Sequence, residues 1–289
     1  MKIFITGGTG FIGRPVVDIL ARSGHDILIL SRAPQKKSGF LKGDLSHLDL
    51  IKEKIKKFNP DVILHLAWEN VSDYVNPQNS LKNLSNSLNF ILFASSLSCK
   101  KIVCAGSGLE YGTLKGKVSE LTEVQPSNIF EASKVALHVV GRKIAEKSSA
   151  QFLWFRIFHS YGPGQRSAAL IPYLLRCLKD GSAPDIKNPK AANDYIFVDD
   201  VASAIIKIVE KKDLKSNVYN IASGRLTSVG DIANIIYQGK DSLRFSGGGE
   251  GRYADISRIK KELRWSPKVD LERGIKKTIA HYKNESSSR

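Results

Sequence analysis

Eight residues near the amino end, Thr6-Gly7-Gly8-Thr9-Gly10-Phe11-Ile12-Gly13, constrain the chain more than any other stretch. Before them runs Lys2-Ile3-Phe4-Ile5-Thr6, a short β-rich segment. After them a helical pattern carries apolar residues at Val16, Val17, Ile19 and Leu20. Gly24 can end that helix, and Asp26-Ile27-Leu28-Ile29-Leu30 follows as a nearly unbroken apolar run, the mark of a parallel strand covered on both faces. Strand, glycine turn, helix and second strand thus form one βαβ unit by residue 30. The glycines have separate physical uses: a tight turn, backbone approach to a phosphate without an intervening Cβ, and close helix–strand packing. Amides at the start of such a helix can receive a pyrophosphate, which makes Gly7, Gly10, Phe11, Ile12 and Gly13 candidate dinucleotide contacts. A glycine pattern alone is weak, and a turn that binds nothing is the alternative. The strand–turn–helix context is what the motif requires.

The alternation continues. Helical patterns near 47–58, 80–98 and 128–147 separate the strands Val62-Ile63-Leu64-His65-Leu66, Lys101-Ile102-Val103-Cys104-Ala105 and 152–158. This rhythm predicts an α/β fold: a Rossmann-type, doubly wound parallel sheet with right-handed crossovers. Beyond residue 160 it breaks into a loop-rich stretch, a helix near 168–180, and the segment Tyr195-Ile196-Phe197-Val198. The expected organisation is a dinucleotide-binding domain over 1–160, rejoined by about 195–223, with a smaller substrate-binding lobe from 161–194 and 224–289. The tail from Lys283 to Arg289 reads as disordered.

Charge admits an anionic partner: 44 Lys+Arg against 28 Asp+Glu give +16. The lysines are scattered along amphipathic helices, as in Lys52-Glu53-Lys54-Ile55-Lys56-Lys57, and no zinc-finger or RNP signature accompanies them, so nucleic acid is not the expected partner. No apolar run approaches the roughly 20 residues that span a bilayer, and the amino end lacks a signal-peptide pattern, so the expected location is the cytoplasm. Cys99, Cys104 and Cys177 show no metal-ligand spacing and read as reduced, buried thiols. At the end of the second strand an NAD site would carry an acidic residue, but here stand Ser31 and Arg32. A hydroxyl beside a guanidinium suits a 2′-phosphate, which favours NADP over NAD, the alternative being a solvated arginine in a surface turn.

Further along, in order, come Gly43-Asp44-Leu45, His65-Leu66-Ala67, Asn83, Ser107-Gly108-Leu109-Glu110-Tyr111-Gly112, Arg156-Ile157-Phe158-His159-Ser160-Tyr161-Gly162-Pro163-Gly164, Asp194-Tyr195-Ile196-Phe197-Val198-Asp199-Asp200-Val201 and Arg252-Tyr253-Ala254-Asp255-Ile256. With the loop at 6–13 ahead of them, the set resembles the NAD(P)-dependent epimerase/dehydratase family of extended short-chain dehydrogenases/reductases, over nearly the whole chain. The resemblance implies an enzyme acting on a nucleotide-activated sugar. It makes Asp44 and Leu45 adenine contacts, Leu66 and Ala67 neighbours of the cofactor riboses, Asn83 a support for the active-site lysine, and Ser107 the group that binds the reacting substrate oxygen. Lys134 becomes the lysine that holds the ribose hydroxyls, and the family also implies a homodimer through the helices near 80–98 and 128–147. His159 takes the usual asparagine place. Arg252 and Arg166 are candidates to clamp the substrate diphosphate, with surface charge as the alternative for Arg166.

In this family a tyrosine stands four residues before the lysine, on the same helix face. Here that position is Phe130, in Phe130-Glu131-Ala132-Ser133-Lys134. Losing such an acid typically costs on the order of 10²–10⁴ in rate. An engineered change, a natural substitution in which Ser107, Glu131 or a lysine-bound water supplies the proton, and a non-catalytic binding module all fit the sequence. Tyr111-Gly112-Thr113-Leu114-Lys115 also spells the motif, but glycine and its place after a strand argue against a helical pair. Gly108 and Leu109 occupy the places of the dehydratase Asp-Glu pair, which disfavours dehydration and leaves a 4-ketosugar reductase or 4-epimerase.

Overall fold

The computed structural model describes residues 1–35, 38–238 and 245–287, with side chains described as far as Lys283. From the amino end the chain forms β1 (Lys2–Thr6), α1 (Gly13–Arg22), β2 (Asp26–Ser31), β3 (Phe40–Lys42), α2 (Lys52–Phe58), β4 (Val62–His65), α3 (Pro77–Ala94) and β5 (Lys101–Ser107). It continues through β6 (Gly116–Val118), α4 (Ile129–Ala145), β7 (Gln151–Ile157), β8 (His159–Tyr161), α5 (Leu170–Asp180), β9 (Ala191–Asn193), β10 (Tyr195–Phe197), α6 (Val198–Glu210) and β11 (Val218–Ile221). The last elements are β12 (Thr227–Ser228), α7 (Val229–Ile236), β13 (Glu250–Ala254), α8 (Ser257–Leu263) and α9 (Leu271–Ser287).

Seven strands lie side by side in the order β11-β7-β5-β4-β1-β2-β3, every pair parallel. The apolar runs explain why helices cover both faces. Successive side chains alternate, so Ile3 and Ile5 point to the layer containing Val16, Leu20, Ile205 and Val209, while Phe4 points to the layer containing Ile55, Phe90 and Leu137. The chain leaves β1 toward β2 and β3, then returns to β4 on the other flank of β1. Strand order therefore reverses between β1 and β4, and the crevice at their carboxyl ends is where open α/β sheets take ligands. A third apolar cluster, built on Tyr161, Leu174, Phe197, Ile232 and Ile275, holds α5, α7 and α9 together.

Several elements depart from the sequence expectation. The helix expected near 47–58 is split: a 3-10 turn spans Leu45–Leu50, capped by Asp44, and α2 starts only at Lys52, because His47 adopts a non-helical backbone. Segment 195–197 does not enter the seven-stranded sheet but pairs with β8, whereas α6 packs on α1 and β11 closes the sheet edge. A four-stranded sheet, β12-β9-β13-β6, draws its edge strand β6 from within the first 160 residues. The tail expected to be disordered from residue 283 is helical as far as Ser287, since Ile275 and Thr278 anchor α9 and propagation extends it. Residues 288–289 lie outside the described residues. The three cysteines are free and buried. Among the described residues no helix is long and apolar enough to cross a membrane.

Candidate active site

Two glycines make the turn after β1 possible. Gly7 has a positive φ of 74°, and a Cβ there would lie 2.6 Å from Ala67 N; a Cβ on Gly13 would meet Gly7 O at 2.1 Å. Any side chain at either place would push apart the turn and the strand ends it touches. Gly10 N–H donates to Gly7 O at 3.1 Å, and Arg14 Nε–H donates to Thr9 O at 2.9 Å, closing the turn. Among the described residues no protein acceptor pairs with the amides of Phe11 and Ile12, which precede the first turn of α1. Below the turn, buried His65 bridges Thr6 Oγ1 (2.7 Å) and Ser87 Oγ (2.9 Å). Burial, with the charge of Lys134, holds its pKa down at about 3, so the ring is neutral. Nothing in the sequence singles out that bridge, because Ser87 comes to His65 only through the packing of α3 on β4.

A cleft of about 260 Å³ opens at the reversal of strand order, lined by Gly7, Gly10, Arg32, Asp44, Ala67 and Glu69 among others. Ser31 is buried and its hydroxyl donates to Ala33 O at 2.8 Å, so of the Ser31–Arg32 pair the arginine alone reaches solvent, its side chain 67% exposed. Glu69 Oε1 accepts from Arg32 Nη1 at 2.8 Å, and Lys82 Nζ lies 3.3 Å from Glu69 Oε2. Asp44 Oδ1 accepts from both Ser46 N–H and Ser46 Oγ–H; those hydrogen bonds, with the charges of Arg32 and Lys82, outweigh its partial burial and hold its pKa below the usual value. Leu45 and half-buried Ala67 line the cleft, and half-buried Leu66 precedes Ala67 just past the end of β4. Asn83 lines the same cleft from α3. Its Oδ1 accepts from Glu69 N–H at 2.7 Å and its Nδ2 donates to Glu69 O and Asn79 O, so it fastens the loop after β4 to α3.

Ser107 ends β5 at the carboxyl edge of the sheet. Its Oγ accepts from Leu109 N–H at 3.1 Å, which leaves the hydroxyl proton available to a ligand, and its own N–H donates to Glu110 Oε1 at 2.8 Å. Glu110 is fully buried and also receives Trp154 Nε1 and Arg156 Nε, the latter at 2.7 Å. A buried carboxylate is tolerable only with such partners, and together they fix where Ser107 sits. The hydroxyl of Tyr111 lies 2.9 Å from Asn220 Oδ1 and accepts from Arg156 Nη1, while Lys115 pairs with Glu250. The second YxxxK string is therefore structural.

Lys134 lies one turn beyond Phe130 on α4, both buried. Its ammonium donates to Ala105 O at 3.0 Å and sits 3.9 Å from the centre of the Trp68 ring. Burial lowers its pKa to about 8, against the opposing pull of Glu110. Phe130 meets Trp68 and Tyr74 edge to face, each at a centroid distance of 5.7 Å. Neither ring was a candidate from sequence. His159 stands on β8 beside Tyr195, and burial and the charge of Arg252 bring its pKa to about 4, leaving it neutral. Arg252 on β13 is buried without an ion pair within 4 Å among the described residues, its nearest opposing charge that of Glu131. Glu131 itself accepts from Ser127 N–H and Oγ–H. Arg166 is exposed, and its Nη1 donates to Val71 O at 2.7 Å, which ties it to the loop after β4.

The chain matches the NAD dependent epimerase/dehydratase family over residues 3–222. It belongs to that family. Within the epimerase/dehydratase family it is 26% identical to the putative UDP-glucose 4-epimerase of Methanocaldococcus jannaschii, over 98% of this chain and 99% of that protein. It is 27% identical to a dTDP-4-dehydro-6-deoxyglucose reductase of Escherichia coli, over 96% of each. Among solved structures, MoeE5 in complex with UDP-glucuronic acid and NAD has the same fold, with a TM-score of 0.87 at 23% identity over 99% of this chain and 100% of that one. The dinucleotide in that complex is NAD.

Proposed function

We propose that this chain is an NAD(P)-dependent nucleotide-sugar oxidoreductase that interconverts carbonyl and alcohol at C4 of the sugar, as a 4-ketosugar reductase or 4-epimerase. The observation that carries this reading is the placement of Ser107 and Lys134 at the carboxyl end of β5, beside the cleft framed by the Gly7–Gly13 turn. The residues present fit a dinucleotide: Gly7 and Gly13 leave no room for side chains in the turn, and among the described residues the Phe11 and Ile12 amides have no protein acceptor. When bound, that cofactor supplies a nicotinamide ring that gives or takes a hydride. The Ser107 hydroxyl donates to the sugar oxygen, and the Lys134 charge favours the negative oxygen that forms there. Arg252 and Arg166 offer forked donors to the substrate diphosphate, and neutral His159 accepts or donates a hydrogen bond without adding charge.

The cofactor we favour is NADP, since the β2 end carries no carboxylate and Arg32 can turn from Glu69 to a 2′-phosphate. We also infer a homodimer through α3 and α4, whose outer surfaces expose Leu81, Leu92, Val139 and Val140. Calorimetry with NADPH, NADH and UDP- or dTDP-hexoses, followed by NADPH oxidation with 4-ketosugar nucleotides, tests the reading. Binding of both ligands with turnover is expected; no uptake of either dinucleotide at millimolar concentration overturns it. The packing of Phe130 between two rings favours one rival, a binding module without catalysis. That rival gains if both ligands bind yet neither the native chain nor Phe130→Tyr turns over.

A further inference from the structure

We infer that Tyr74 supplies the proton that Phe130 cannot, an assignment that rests on the oxidoreductase reading above. Phe130 leaves a hydroxyl-free ring where an acid is needed. The phenol nearest to it comes from a different element, the loop between β4 and α3: the Tyr74 ring stands at 69° to the Phe130 ring with centroids 5.7 Å apart. Phe130 is also in contact with Trp68, and the Lys134 ammonium lies 3.9 Å from the centre of the Trp68 ring. Tyr74, Phe130, Trp68 and Lys134 thus form one contiguous cluster at the sheet edge that holds Ser107.

The loop that carries Tyr74 is held in place along its length. Asn83 fastens Glu69, Asn70 Nδ2 donates to Asn79 Oδ1, Asp73 Oδ2 accepts from Asn76 and Asn79, and Arg166 grips Val71 O. Tyr74 itself is half-buried, and among the described residues its hydroxyl has no hydrogen-bond partner. Ser107 offers its hydroxyl to the substrate oxygen as a hydrogen-bond donor, and the nearby carboxylates and imidazole are committed. Glu131 accepts two bonds from Ser127, Glu110 is paired with Arg156 inside the core, and His65 is locked between Thr6 and Ser87. Tyr74 is therefore a proton-bearing side chain beside Phe130 that the fold has not already engaged.

The step balances with one proton drawn from solvent. Were a bound reduced nicotinamide to supply hydride to the carbonyl carbon of the sugar, the carbonyl π pair would move onto oxygen, and Tyr74 Oη–H would give that oxygen its proton. The O–H bond that breaks would leave a phenolate, which takes one proton from solvent, so each turnover consumes one hydride and one solvent proton.

Four chains decide the matter: native, Tyr74→Phe, Phe130→Tyr and the double variant. Each is measured for ligand affinity by calorimetry and for kcat and KM with NADPH and a 4-ketosugar nucleotide. Nitration of Tyr74 by tetranitromethane, mapped by mass spectrometry with and without NADP and nucleotide sugar, gives a readout independent of turnover; buried Tyr111 serves as the unreactive reference. Tyr74→Phe is expected to lower kcat by about 10²–10⁴ with KM and NADPH affinity unchanged, and the double variant to recover it. Tyr74 should nitrate in the free chain and be protected in the ternary complex. The assignment fails if Tyr74→Phe keeps kcat within a few-fold, if bound ligands leave nitration unchanged, or if the native chain binds both ligands but turns over only after Phe130→Tyr. Loss of dinucleotide binding from all four chains sinks the oxidoreductase reading itself, and the separate affinity measurement tells that outcome from the others.

Discussion

Burial makes the charge of Lys134 titratable near neutrality. Its pKa, lowered from 10.5 to about 8, means that the ammonium is present below that pH and lost as pH rises through it. The kcat/KM profile of the free enzyme should therefore fall on an alkaline limb near pH 8, and Lys134→Arg should carry that limb beyond the measured range. Stability responds with the opposite sign. Between about 8 and 10.5 the unfolded chain holds a proton that the native lysine has released, so this group makes the native state more stable as pH rises through that window. At the other end of the cleft, Arg32→Ala should weaken NADPH about 10- to 100-fold in calorimetry and leave NADH nearly unchanged, because only the 2′-phosphate contact is lost. Equal losses for both dinucleotides would remove the case for NADP. Gly7 and Gly13 stood out in the sequence because the turn they make is local, whereas Ser107, Phe130 and Lys134 stood out only through the resemblance to the family's motifs. Trp68 and Tyr74 did not, since what matters in them is a ring edge meeting Phe130 across some 60 residues of chain.

Elements hold these residues through a few buried polar joints. Glu110 links the end of β5 to β7 through Ser107 N–H, Trp154 and Arg156, so it is the joint on which the Ser107 position depends. Glu110→Ala should cost about 3–5 kcal/mol in urea unfolding, because it leaves the Arg156 guanidinium buried and uncompensated. A loss within the range of a surface change would show that Arg156 finds another partner. Asp194 and Asp200, noticed as parts of a late family signature, do similar work: Asp194 accepts from the N–H groups of Ser223, Gly224 and Ala254, and Asp200 from those of Lys268 and Val269. The major strands and helices were readable because long apolar runs and helical spacing survive in isolation. Strands β6, β9 and β12 were not, since stretches such as Ala191–Asn193 carry no period and become strands only when a neighbour supplies hydrogen bonds.

For the whole molecule, the +16 charge provides a field that draws diphosphate ligands without specifying which one. The outer surfaces of α3 and α4 add a separate expectation. Leu81 and Leu92 are eleven positions apart, about three helical turns, and so face the same way, with Leu92 60% exposed and Val139 and Val140 open on the adjoining helix. Sedimentation should find a dimer that Leu92→Lys with Val139→Lys converts to monomer while the fold persists; a native monomer at micromolar concentration would refute the interface. By itself the sequence determined the parallel sheet and the glycine turn after its first strand, because these follow from local periodicity and glycine sterics; that a phenol is missing at position 130 followed from the resemblance to the family's motif. Only the tertiary structure decided which side chains gather at the mouth of the cleft. Strand reversal between β1 and β4 brings the loop after β4 against α4, and that encounter is set by packing across the sheet rather than by anything in either segment alone.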